Sequence, residues 1–284
     1  MEILYSVLYA FFIGFYNVFR KLSLKKSEES VTLVIFTTVA FVLSMFFIPL
    51  GIGIAWNFVL LFMLKGILLA TSWFIILKVL KNANLSVVNV TRNVIAAILS
   101  FVVGITIFNE TVGVWKVVGA VIIILGVTLI NLVDQTSKKS VKVLHFVLLI
   151  ISSAITVSSS VIDKFAISSL ESHQIIFWTY LFISLFSWVF FSIECLRKKE
   201  FLIKKQDLKN TFIYFIGLFL FIGDCMLFLA YKVPGSQLIT ISIVTKLQVV
   251  VTVLASVVVF KEKNILKKLL LTLLVIVGVV LMTI

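Results

Sequence analysis

VTLVIFTTVAFVLSMFFI, residues 31–48, runs eighteen positions without a charged side chain. As a helix rising 1.5 Å per residue it spans about 27 Å, close to the hydrocarbon thickness of a bilayer. It does not alternate polar with apolar residues, as a membrane barrel strand would. The rest of the chain resembles this stretch: 62% of its 284 residues are hydrophobic and 13% charged, where a soluble domain is roughly half apolar and a quarter charged. No soluble fold of this length could hide so much apolar surface. In lipid every spanning backbone must satisfy its own hydrogen bonds, so the chain is expected to be an all-α polytopic membrane protein.

Hydropathy divides the sequence into ten spans near 3–22, 31–50, 57–79, 85–107, 114–133, 143–163, 174–194, 211–231, 236–260 and 265–284. Pro49 with Gly51 and Gly53 separates the second from the third, and Pro234-Gly235 the eighth from the ninth. Arg197–Asn210 is the longest polar loop, so no soluble domain is expected to carry separate chemistry. Met1-Glu2 leads straight into an apolar run without a basic n-region or cleavage site, so this run is expected to stay as the first span.

The net charge is +13, yet the basic residues sit in short turns rather than on a module with aromatic interleaving, which argues against nucleic acid. The loops after spans one, three, five, seven and nine, with Arg20 and Lys21 at the end of span one counted in the first, hold nineteen of the 25 Lys and Arg; only Lys116, Lys164 and Lys232 lie on the opposite face. By the positive-inside rule the basic loops face the cytoplasm and both termini lie outside, in the plasma (cytoplasmic) membrane of a bacterial-type cell. Cys195 and Cys225, far apart and beside apolar runs, form neither a disulfide framework nor a metal pattern. His145 and His173 lack metal-ligand spacing, and no cofactor is expected.

The chain also reads as duplicated. IFNETVGVWKVVGAVIIILGVTLI (107–130) and VFKEKNILKKLLLTLLVIVGVVLM (259–282) each close a block of five spans, with a Glu and a Gly sixteen residues apart in both. NVFRKLSL (17–24) and VIDKFAIS (161–168) echo one another after spans one and six. The blocks are 1–137 and 138–284, and an odd number of spans turns one over relative to the other, as in inverted-repeat transporters.

These residues resemble the EamA family of the drug/metabolite transporter superfamily, whose repeat ends with a Glu, a Gly nine residues on and a Gly seven beyond that. Glu110, Gly119 and Gly126 match; the second copy keeps Glu262 and Gly278 but has Leu271 at the first Gly position. Gly14 followed by Lys21 is similar to the family's opening motif. Ala97 and Val249 stand where many members have proline, so the proline kink of spans four and nine is missing. The uncharged Ile52–Asn57 departs from the basic loop often found there. The resemblance implies cytoplasmic termini, against the loop charges. It also implies that spans four and nine line a central cavity, with one, three, six and eight around it.

Ionisable residues at bilayer depth are costly and are the first functional candidates. They are Lys65, Arg92, Asp224 and Lys246. The Glu-to-Glu offset of 152 sets Arg92 opposite Val244 and Lys246 opposite Val94, so the two cations fall near each other's repeat equivalents. Three cations against one carboxylate favour an anionic or carboxylate-bearing solute, which a guanidinium can hold through two hydrogen bonds. The bland alternative pairs Asp224 with Lys65 or Lys246 and lets Arg92 reach toward the surface. Tyr16, Asn17, Asn89, Asn93 and Gln248 add polar contacts, with Asn89, Arg92 and Asn93 on roughly one helical face; Trp73 would wall or stack on a solute. Ser152, Ser153, Ser158, Ser159 and Ser160 read as a close-packing face, as do Gly119 and Gly126. Glu110 and Glu262 read as charges at the starts of their own following helices, and Asp163-Lys164 as a local interfacial pair.

No metal cluster, nucleophile elbow or P-loop points to an enzyme or an ATP-driven pump. The expectation is a secondary transporter working by alternating access, an exporter or exchanger of amino-acid-like or anionic small metabolites, with membrane lipids as its surroundings and a monomer as the simplest form. A lipid or lipid-linked head-group translocase is the main alternative. A non-transporting receptor or scaffold is the second.

Overall fold

A computed structural model describes residues 1–82, 85–134 and 143–260, and beyond them residues 267, 270, 271, 274, 277, 278 and 281. The described residues form helices joined by short turns. They are α1 (Glu2–Ser23), α2 (Glu29–Ser44), α3 (Trp56–Asn82), α4 (Leu85–Thr106), α5 (Val114–Asp134), α6 (Val143–Ala166), α7 (Ser172–Lys198), a single turn α8 (Lys205–Leu208), α9 (Thr211–Lys232), α10 (Leu238–Val244) and α11 (Gln248–Phe260). Among them six are long and apolar enough to cross a membrane: Glu2–Ser23, Glu29–Leu50, Trp56–Lys81, Leu144–Ala166, Ser172–Lys198 and Thr211–Lys232. Shorter apolar segments are Arg92–Thr106, Val114–Gly126 and Leu238–Thr252. The molecule is an all-helical polytopic membrane protein. Most of span 265–284 and Glu262 lie outside the described residues.

The chain breaks where proline and glycine require it. A 3₁₀ extension of α2 over Met45–Leu50 contains Pro49 and ends at Gly51, whose φ of 85° favours glycine. Gly235, φ 75°, turns the chain between α9 and α10. The ninth span, expected as one helix over 236–260, is interrupted by a 3₁₀ turn at Thr245–Leu247. No proline is involved. Thr245 Oγ1 donates to the Ser242 carbonyl at 2.7 Å, a side-chain bond that competes with the backbone ladder. The 197–210 loop likewise contains α8.

Large apolar side chains such as Phe11, Trp56, Leu125 and Leu144 point outward, whereas Ser6, Asn17, Lys65, Ser72, Asp163 and Lys246 are buried. That arrangement suits lipid as the outer solvent and a polar interior. Helices of the first half pack on those of the second: α1 on α9 and α11, α2 on α7 and α9, α3 on α6 and α7, α4 on α6 and α10. Small residues permit the approach. A Cβ on Gly14 of α1 would lie 2.5 Å from Val251 Cβ, and one on Gly217 of α9 would lie 2.7 Å from the Phe36 carbonyl oxygen of α2. Gly278 meets the Gly119 carbonyl in the same way, in line with the packing role read for the α5 glycines.

Candidate functional site

Where α1, α3, α4, α6, α7, α9 and the α10–α11 break converge, they enclose a cavity of about 130 Å³. Nine of the ten expected site residues line it: Tyr16, Asn17, Lys65, Trp73, Arg92, Asn93, Asp224, Lys246 and Gln248. Asn89 is buried but does not line it. The helical break sets Lys246 at the wall, at the turn where the backbone is least regular. Such breaks at membrane depth occur where backbone faces a cavity rather than lipid.

The charges are arranged differently from the sequence reading. Lys65 Nζ is bonded to Asp163 Oδ1, with side chains 3% and 9% exposed, and donates to Thr179 Oγ1 at 3.0 Å. Asp163 therefore does not form a local pair with Lys164. The two point to different places because successive residues on a helix project about 100° apart. Lys65 is neutralised within its own wall, so the count of three free cations is reduced to two. Arg92 Nη2 donates to Thr156 Oγ1 at 2.7 Å, and its Nε is buried without an acceptor. Among the described residues no carboxylate pairs with Arg92 or Lys246. Asp224 Oδ2 accepts from the Tyr180 hydroxyl at 2.6 Å and pairs with neither Lys65 nor Lys246.

A relay of amides ties the walls together. Asn17 Nδ2 donates to Gln248 Oε1 at 3.2 Å, and Gln248 Nε2 donates to Asn93 Oδ1 at 3.0 Å, linking α1, α11 and α4. Each buried amide thereby meets its demand from a different helix, which specifies their register. Trp73 packs on Phe36 with centroids 5.7 Å apart and serves as wall. Ser152 and Ser153 do hold helices together, through Ser72 Oγ at 3.0 Å and the Arg92 carbonyl at 3.0 Å. Ser159 and Ser160, grouped with them in the sequence reading, face the cavity instead. Thr156, Ser159, Ser160 and Asp163 recur at helical spacing on α6, and that polar stripe was the available signal for Asp163. Tyr180 and Thr179, on α7, had no comparable signal in sequence.

Glu110 caps a helix, but not the one that follows it. Its Oε2 accepts from the Ile239 N–H at 2.9 Å and its Oε1 from the Leu238 N–H, both in the first turn of α10. Lys164 adds its ammonium to Glu110 at 3.4 Å and bonds the Ser236 carbonyl. Glu2 Oε2 accepts from Gln237 N at 3.1 Å, and Lys116 holds the Gln237 side chain at 2.6 Å. The orphan N–H groups of a broken membrane helix need acceptors, and carboxylates suit that positive end best. Gly104 makes room: a Cβ there would lie 2.8 Å from Ile239 Cδ1. Arg20, expected in a cytoplasmic loop, is 1% exposed and lies over the Tyr16 ring at 5.0 Å.

On the rim, Lys232 holds the exposed Glu171 carboxyl below its ordinary 4.5 by a direct hydrogen bond.

The EamA-like transporter family model matches residues 144–284. No curated protein matches the sequence. A solved structure titled only "Crystal structure of protein" superposes with a TM-score of 0.75 at 12% identity, over 98% of this chain and 95% of that one. At that identity the likeness is one of fold alone.

Proposed function

We propose that the chain, whose residues 144–284 match the EamA-like transporter family model, is a membrane transporter that carries an amino-acid-like solute by alternating access. The observation that supports this is the charge left in the cavity once Lys65 and Asp163 have paired. Among the described residues Arg92 and Lys246 line the cavity with no carboxylate paired to them, and Asp224 with no cation paired to it. A solute with a carboxylate for the first two and an ammonium for the third would satisfy all three of these charges. A simple anion would leave Asp224 uncompensated, and a simple amine would leave two cations so.

The exchanged packing of the two halves supports their reading as repeats of five spans related by inversion. Rocking of one half against the other would open the cavity to each side in turn. The basic loops would face the cytoplasm. An exporter or exchanger driven by a gradient fits a family of metabolite transporters.

The test is a thermal-shift screen of purified protein against amino acids, organic anions, amines and lipid head groups, followed by flux in proteoliposomes. Amino acids should stabilise wild type, and Arg92→Gln, Lys246→Gln and Asp224→Asn should each lose both the shift and the flux while remaining folded. Equal stabilisation by an anion without an amine, unaffected by Asp224→Asn, would refute the zwitterion. Stabilisation by lipid head groups alone would replace it with a lipid translocase.

A further inference from the structure

The start of α10, in the second half of the chain, is held by side chains of the first half. Glu110 takes the Leu238 and Ile239 N–H groups, Glu2 takes that of Gln237 at 3.1 Å, and Lys116 donates to the Gln237 side chain at 2.6 Å. The Gln237 amide returns a bond to the Thr111 carbonyl at 3.4 Å, and Lys164 of α6 adds its charge to Glu110 at 3.4 Å. The nearby rim pair Lys232–Glu171 differs, since both of its members belong to the second half. If the halves rock apart at this face, the first set has to break and the rim pair does not.

The cavity begins directly beneath these contacts. Asp163 precedes Lys164, and Ile241 and Ser242 lie within a turn of Ile239; all three line the cavity, as does Tyr231, whose carbonyl accepts from Ser236 Oγ at 2.9 Å. These four cavity residues are at most 6% exposed, so the cavity is shut at this end. α10 itself is seven residues long and buried throughout, a rod of about 10 Å. Irregular backbone flanks it on both sides: Pro234-Gly235, with φ 75° at the glycine, comes before it, and the 3₁₀ turn Thr245–Leu247 follows. A short rigid segment between two such joints is the form that hinged elements take. Its inner joint carries Lys246 at the cavity wall, so a swing of α10 displaces a cation that faces the solute.

We propose that α10 is the gate of the cavity on the face opposite the basic loops, and that Glu110 with Lys164 is its latch. The inference rests on the alternating-access reading above. With the latch shut, the cavity is sealed from that face. With it open, α10 swings on its two joints, uncovers Ser242 and shifts Lys246 relative to the solute, which couples opening to release.

The experiment reads thiol accessibility in the full-length protein, held in lipid nanodiscs with Cys195→Ser and Cys225→Ser as background. Ser242→Cys is the probe position, and the reagent is a water-soluble maleimide. Glu110→Gln and Lys164→Met should each speed its labelling about tenfold, within the range over which a minor open state can be raised, whereas Lys232→Met should leave the rate unchanged. A second arm keeps the test open if a latch variant does not fold. Thr111→Cys with Gln237→Cys, joined by a short bis-methanethiosulfonate, ties the two halves together at the latch. Amino-acid flux in proteoliposomes should then stop and return on reduction, while the solute-induced thermal shift persists. Labelling no faster in the two latch variants, labelling equally fast in Lys232→Met, or flux that survives the crosslink would each overturn the gate. If no amino acid binds or moves, the solute reading falls, and the labelling rates still decide the gate.

Discussion

Breaking the Lys65–Asp163 pair tests the charge count on which the substrate class depends. Both side chains are buried, and Thr179 adds a further bond to the ammonium. Lys65→Met would leave Asp163 as an uncompensated carboxylate at membrane depth. Removing one member of a buried pair costs about 3–5 kcal/mol, because the remaining charge has lost its partner but not regained water. Asp163→Leu should cost a similar amount by stranding Lys65. The double variant, with two apolar side chains of similar reach, should recover most of the loss, since replacing a whole buried pair is often near neutral. Stability is measured by denaturant titration in mixed micelles for all four proteins. The double variant should also keep the solute-induced thermal shift, because Arg92, Lys246 and Asp224 are untouched. Strictly additive losses would show that the two charges do not compensate one another. Lys65 would then be a third free cation, and a simple anion would become the better substrate.

Three further outcomes follow from the same geometry. Glu110→Gln should destabilise the protein by about 2 kcal/mol, the range for lost charge-assisted hydrogen bonds, as read by the same titration; no change would mean that the α10 cap is idle. Gly14→Val should lower stability by about 1–3 kcal/mol through overpacking against Val251, whereas Gly53→Ala, with no atom near its added Cβ, should be silent. Glu171, held below 4.5 by Lys232, supports the fold above that value and stops doing so as pH falls through its lowered pKa, so Glu171→Gln should flatten the acid limb of Tm against pH by a small amount.

The membrane class and the turns at Pro49 and Pro234 follow from local physics, because the cost of charge in lipid and the stiffness of proline act on each segment independently. Nine of the ten cavity candidates were legible for the same reason: a polar side chain in an apolar span needs a polar place to go, and the interior is the only one. Partnership was not legible. Asp163 is adjacent to Lys164 in sequence, yet pairs with Lys65 from another helix. Glu110 stands near the start of α5, yet caps α10. Arg20 was counted with the water-facing loops and is buried. Sequence neighbours on a helix point about 100° apart, and which charge meets which depends on the helix crossings, so only the tertiary structure decided how much charge the cavity leaves for a solute.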